Sequence, residues 1–501
     1  MNEIRQTVTV YQDRHIRDYS DRKKIEEMVN AAFLGCIEKT YGHRDIRTIF
    51  LPGSKVVIKP NFVHEMNFRV RFDGEKMEHP NDCFITDWSV VRAVVKLLSD
   101  TDNLQISILE CPLQSCSIEK IVTKDMLDEL AQFNLANTVE FIDGRRTKYI
   151  FGTKEPKILH DCRGENRYID FDLGQDSLHA PYDKYADRFR VTDYPPAEMR
   201  RFHAKGMHRY KIAREVMEAD YVISIPKLKT HMKAGMTCAM KNMVGIVGNK
   251  ECLPHHTKGS PFFPWGRAGD CYGDFSILKM IAEHLTDKAN QYLAFDEKMY
   301  YRKIRLPQAM MALRRHLCLD YDITGSWHGN DTISRTIVDL NHILYYGGSD
   351  GKMHDRVQRK VFAVVDGIVS GQGEGPMKPL PDNTGIVAVS ESSAAADIVC
   401  AEIAGLDSRK IRCLEPDKIC TIKWPLSVPR SQLQIFVNDR HVSYSRLRSI
   451  HKKITVPPRW EGKIEKYAET EFSYPRNFLQ NLAGYPERII RKIQKGIETK
   501  S

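Results

Sequence analysis

The sequence predicts an α/β protein: a mostly parallel sheet of βαβ units with an inserted polar lid region and a basic helical C-terminal tail. Three observations carry this. Short β-branched runs are bounded by turn residues, as buried strands are. Segments of helical periodicity separate them, and strands alternating with helices argue for parallel pairing through crossovers. The 501 residues are 42% hydrophobic and 28% charged, ordinary for a globular chain of one to three domains.

In chain order, the expected strands are "KVVIKPN" (Lys55 to Asn61), "QISILE" (Gln105 to Glu110), "DYVISIPK" (Asp220 to Lys227), "VFAVVDGI" (Val361 to Ile368) and "GIVAVS" (Gly385 to Ser390). The expected helices are "DWSVVRAVVKLLSD", "YKIAREVMEA", "ISRTIVDLNHILYY" and "SSAAADIVCAEIAGLD". Two stretches break the alternation. Residues from about 145 to 205 are polar and read as an insertion or lid, and "PHHTKGSPFFPWGRAGDCYGDF" reads as a long functional loop over about 252–275. The chain therefore divides into an N-terminal extension (1–50), an α/β core (51–420) and a basic C-terminal region (421–501). In the last of these, Phe478, Leu479, Leu482, Ile489, Ile490, Ile493 and Ile497 fall near helical spacing among basic residues. That pattern suits a helix packed on its own domain or a peripheral contact with an anionic membrane face.

Composition narrows the function classes. No window approaches twenty consecutive apolar residues, and "MNEIRQTVTVYQDR" lacks the apolar run of a secretory signal, so the cytoplasm is expected. The twelve cysteines are irregularly spaced with no C-x-x-C, which argues against a disulfide framework and against an iron–sulfur cluster. A net charge of +10 suits an anionic partner. Aromatic residues are not interleaved with the basic ones, so no specific nucleic-acid binding is expected.

In open α/β sheets ligands bind beyond the carboxyl ends of the strands. Four polar motifs occupy such positions: Lys59 and Asn61 after the first strand, Glu110 after the second, "PKLKTH" after the third, and Asp366 with Glu374 out of the fourth. In "SIPKLKTHMKAGMTCAMKNMVGIVGNK", Lys227, Lys229, His231 and Lys233 alternate, as on one face of an extended chain. Gly235, Thr237 and Ala239 are small, as where backbone and ligand approach closely. Thr237 is placed to cap a helix starting near Cys238, whose N-terminus would attract an anion. His255 and His256 follow in "CLPHHTKGSP" as candidate metal ligands or proton carriers; Asp366 and Glu374 are candidates of the same kind. A divalent metal is possible on these residues. "GQGEGP" reads as a loop of unusual backbone angles, because its prolines forbid the helix a nucleotide loop requires. Asp331 is read as the N-cap of the helix in "NDTISRTIVDLNHIL".

Taken in order, "VVIKPNF", "ISIPKLKTHMKAGMTCAMKNMVGIVG", "TISRTIVDLNHIL" and "FAVVDGIVSGQGEGP…GIVAVSESSAAADIVCAEIAG" resemble the family catalogued as domain of unknown function 362, over roughly residues 50–410. Some relatives carry ferredoxin-type cysteine runs, which this sequence lacks. A weaker similarity, to the lactate racemase family, lies around His231 and Lys241, ten residues apart. It implies a lysine that tethers a nickel-pincer nucleotide and histidines that ligate the metal and move protons. Two departures count against that cofactor: "TCAMK" replaces a serine and paired glycines, and His255 and His256 follow Lys241 one or two residues early.

The leading expectation is an enzyme acting on a carboxylate- or phosphate-bearing small molecule, by isomerisation, proton transfer or redox chemistry. His231 and Lys241 would be catalytic, and Lys59, Asn61, Lys227, Lys229, Thr230, Thr237 and Asn242 would bind substrate. The alternative is a non-catalytic accessory protein of cell-surface polysaccharide or cofactor biosynthesis at an anionic membrane face.

Overall fold

The computed structural model of the chain describes residues 3–150, 157–159, 161–192, 194–262, 269–293, 296–450 and 453–465. The hydrophobic positions expected to form a C-terminal basic helix, Phe478 to Ile497, lie outside the described residues.

Among the described residues the main sheet has twelve strands. They are β1 (Thr7–Gln12), β2 (Lys55–Pro60), β3 (Gln105–Glu110), β4 (Thr138–Asp143), β5 (Tyr221–Ile225), β6 (Lys227–His231), β7 (Gly235–Thr237), β8 (Lys360–Glu374), β9 (Lys378–Asp382), β10 (Ile386–Ser390), β11 (Gln434–Val437) and β12 (Arg440–His441). The spatial order is β12-β11-β1-β10-β8-β5-β2-β3-β4, with β6 and β9 also pairing with β8 and β7 with β6. From β8 to β4 every neighbour is parallel. The β1–β10 and β10–β8 pairs are antiparallel. The expected α/β class with a mostly parallel sheet is what forms.

Strand residues alternate between two cores. Val56, Ile58, Ile223, Ile225, Phe362 and Val364 enter one, with the apolar stripes of α1 (Arg22–Tyr41) and α2 (Trp88–Leu98). Val57, Val222, Ala363 and Val365 enter the other, with α5 (Thr332–Tyr346) and α6 (Ser393–Ile403). Both faces are covered, which is why these strands read as continuous apolar runs. Between them in sequence lie α3 (Ala239–Asn242) and α4 (Ile277–Asn290). Among the described residues no helix is long and apolar enough to cross a membrane.

Several local expectations are revised. "YKIAREVMEA" is helical only over Arg214–Met217; its first four residues end a strand, Met207–Ala213, where antiparallel pairing with Tyr168–Asp172 overrides the helical period. Two of the "GQGEG" glycines, Gly371 and Gly373, belong to β8, which runs unbroken to Glu374 and turns back into β9. Gly373 has the expected unusual backbone, with φ at 75° and open space around it. The other two serve close approach: a Cβ on Gly371 would sit 2.6 Å from the Cys83 carbonyl, and one on Gly375, just past the strand, 2.0 Å from the Thr230 carbonyl. Asp331 is the N-cap residue of α5, as expected, but its side chain makes no cap hydrogen bond. Asp270 accepts from the amides of Asp331 and Thr332 instead, at 2.9 and 2.7 Å.

The boundary drawn at residue 50 does not break the sheet, since β1 lies between β10 and β11. Likewise β11 and β12 come from beyond residue 421. Part of the polar 145–205 stretch is fastened to α5, where Asp339 accepts from Ser177, Leu178 and Tyr210.

Candidate functional site

The strand-end residues sort into those whose charges are compensated inside the protein and those left uncompensated. Lys59, fully buried at the end of β2, donates to Glu110 at the end of β3 over 2.8 Å and to Asn242 over 3.3 Å. Asn242 in turn donates to the Lys59 carbonyl and to Ser224, closing α3 onto β2 and β5. A Cβ on Gly245 would stand 2.3 Å from Glu110 and 2.5 Å from Lys59, so the pair needs glycine there. Lys227 forms a second buried pair, 2.6 Å from Asp366. Tyr19 completes it, accepting from Lys227 at 2.7 Å and donating to Asp366 at 2.5 Å. The cations of Lys59 and Lys227 are thus held by internal carboxylates, with none of the freedom to bind substrate expected of them. Thr230 donates to the Gly373 carbonyl, and the Asn61 amide is held by Thr86. The hydroxyl of Thr237 is buried without a partner.

The helix N-terminus at α3 is closed rather than open. Asp397, from the middle of α6, accepts from the amides of Ala239 and Met240 at 2.6 and 3.1 Å. The expected Thr237 cap is therefore not made, and the first amides of α3 are not free for an anion. An acid at the centre of "SAAADIVCAEI" was the available signal, because a carboxylate on an apolar helix needs a partner. Tyr19 had no comparable signal.

What remains is a group of basic side chains around Lys229 and Lys241, neither of which forms an ion pair among the described residues. Lys229 is buried, with its ammonium donating to the Phe84 carbonyl at 2.5 Å and lying 4.8 Å from the Phe84 ring centre. Burial, aided by Lys241 and Lys227, brings its amine down to about 7. Lys241, half-buried on α3, has no hydrogen-bond or ion-pair partner among the described residues. Burial and then Lys233 and Lys250 bring it also to about 7. Two imidazoles face the same field. His231 is pushed well below the usual histidine range by burial, then by Lys241 and Lys233. Its Nδ1 accepts from the amides of Lys233 and Ala234 at 3.0 and 3.1 Å, so the ring proton belongs on Nε2. His255 is held neutral by burial, Lys233 and Lys241, and its Nδ1 donates to the Leu253 carbonyl at 2.7 Å. His255 therefore presents Nε2 as an acceptor, while His231 presents Nε2 as a donor. His231 is a neutral hydrogen-bond donor here.

The residues grouped for metal binding are separated. Asp366 belongs to the Lys227 pair, and Glu374 lies 3.3 Å from Arg69. His256 instead lies with Cys271 and Glu283, two residues the sequence did not single out.

Residues 179–402 match the family model described as "Domain of unknown function (DUF362)". That segment includes β5 to β8, α3, α5 and nearly all of α6. Over 108 residues the chain is 29% identical to a thylakoid-associated protein of Synechocystis sp., a match covering 20% of this chain and 32% of that protein. The chain thus matches about a third of the length of that curated relative. A crystal structure of a Thermotoga maritima protein aligns over 77% of this chain and 59% of its own, at a TM-score of 0.31 and 9% identity.

Proposed function

This chain belongs to the DUF362 family, and we propose that it is an enzyme acting on a small molecule bearing a carboxylate or phosphate. The observation that carries the reading is Lys241, an unpartnered amine brought to about 7 among other cations. Such a group is part ammonium and part free amine near neutrality, suited to proton transfer or nucleophilic attack. Lys229 and Lys233 would supply positive charge for the substrate's anion. His231 would donate a hydrogen bond to a developing oxyanion, and His255 would accept a proton. Of the reactions open to these groups, proton abstraction beside a carbonyl needs no electron acceptor.

A panel of carboxylated and phosphorylated metabolites, screened by thermal stabilisation, tests this. Compounds that stabilise the protein are then incubated in D2O and followed by NMR. The expected result is deuterium uptake beside a carbonyl, at least tenfold slower in Lys241→Met. Sulfate, used as an unreactive anion, should bind more tightly at pH 6 than at pH 9, because a lysine titrating near 7 passes from roughly 90% to about 1% charged. Equal exchange by Lys241→Met and wild type would overturn the reading.

A second reading is a non-catalytic protein at an anionic membrane face, favoured by the similarity to a protein named for its thylakoid association. Stabilising ligands with no turnover, together with co-sedimentation with anionic vesicles, would favour it.

A further inference from the structure

We infer that His256, Cys271 and Glu283 form a binding site for a zinc-class divalent cation. The inference does not rest on the proposed activity. One donor atom from each residue lies within 4.8 Å of the other two. A single ion with bonds of ~2.0–2.3 Å spans about that separation. His256 and Glu283 are 4% exposed and Cys271 is 0% exposed, so the three meet out of water.

The donors come from three different pieces of backbone, each fixed independently. His256 sits on a short strand paired with Arg190. Cys271 is held by its backbone N–H donating to the Gly259 carbonyl at 2.9 Å and by its carbonyl accepting from the Gly325 amide at 3.0 Å. Glu283 lies within α4, and its Oε1 accepts from the Gly259 amide at 3.0 Å. That leaves Oε2 turned inward.

The second observation is that the cluster is unsatisfied. His256 Nδ1 is buried with no hydrogen-bond partner, as is the hydroxyl of Tyr272, next to Cys271, and buried Glu283 Oε2 has none beyond the weak donor thiol of Cys271 that faces its carboxyl. A buried polar atom without a strong partner is destabilising, so two from the facing residues of one cluster is an unusual arrangement for packing alone. One cation would satisfy both and take the Cys271 sulfur as thiolate. Donor chemistry selects the ion: an imidazole and a thiolate favour zinc and its neighbours, whereas magnesium and calcium require oxygen. Binding expels the thiol proton, and any proton on Glu283, to solvent, so affinity rises with pH. The ion would tie the segment bearing His256 to α4, next in sequence to His255 of the cationic cluster.

The test uses the full chain, stripped with chelator and then titrated with zinc or cobalt(II). The expected result is one ion per chain by elemental analysis and a cobalt–thiolate charge-transfer band in the near ultraviolet. Cys271→Ser should abolish the band, and Glu283→Gln should weaken zinc roughly tenfold or more. Cys318→Ser, outside the cluster, should change neither. Absence of the band in wild type, or an undiminished band in folded Cys271→Ser, would overturn the inference. If Cys271→Ser fails to fold, the wild-type band and the zinc affinity of Glu283→Gln decide.

Discussion

A lysine in this protein is defined by whether a carboxylate stands beside it. Lys59 and Lys227 look the same in sequence as Lys229 and Lys241, yet the first two are locked to Glu110 and Asp366 and the last two form no ion pair among the described residues. The motif showed a cluster of lysines at a strand end. It could not show which were neutralised, because the partners lie 51 and 139 positions away in sequence. Removing one member of a buried pair leaves the other desolvated and uncompensated, which costs ~3–5 kcal/mol. Glu110→Ala should therefore lower unfolding stability by about that amount in urea denaturation, through Lys59. A loss below about 1 kcal/mol would mean that water or relaxation reaches Lys59, and that the pair is not the closed unit described.

At the scale of elements, the parallel strands and the long helices were legible because both sheet faces are buried and the helix stripes are broad. Shorter features were lost to tertiary pairing. Tyr210–Ala213, read as the start of a helix, finds a strand partner in Tyr168–Phe171 instead. The glycines of "GQGEG" signal unusual backbone in general, and a sequence does not distinguish a turn from two chains passing closely. Here the need is mainly close passage: Gly371 packs against Lys229 and Cys83, and Gly375 against Thr230. That contact positions β6, which presents Lys229 and His231. Gly375→Ala would force a backbone shift, since the added Cβ meets the Thr230 carbonyl at 2.0 Å. The expected cost is ~1–3 kcal/mol of stability. Changed NMR or fluorescence signals at β6 are also expected, and an unaltered denaturation midpoint would contradict the account.

Across the whole molecule, the sheet gathers its strands from residue 7 to residue 441, so the divisions suggested by composition at about 50 and 420 are not breaks in the sheet. The carboxyl-end rule pointed to the region where β2, β3 and β5 end beside β8. What it could not supply was the internal compensation of charge there, which leaves Lys241 without an ion pair among the described residues, its charge acting on both His231 and His255. The central claim is that this lysine is poised near neutrality. Trace labelling of the intact protein with acetic anhydride across pH 5–10, quantified by mass spectrometry on the Lys241 peptide, reads this directly. The account predicts a reactivity midpoint at about 7, well below the ~10.4 of an ordinary lysine, with the ammonium below it and the free amine above. A midpoint in the ordinary lysine range would contradict it.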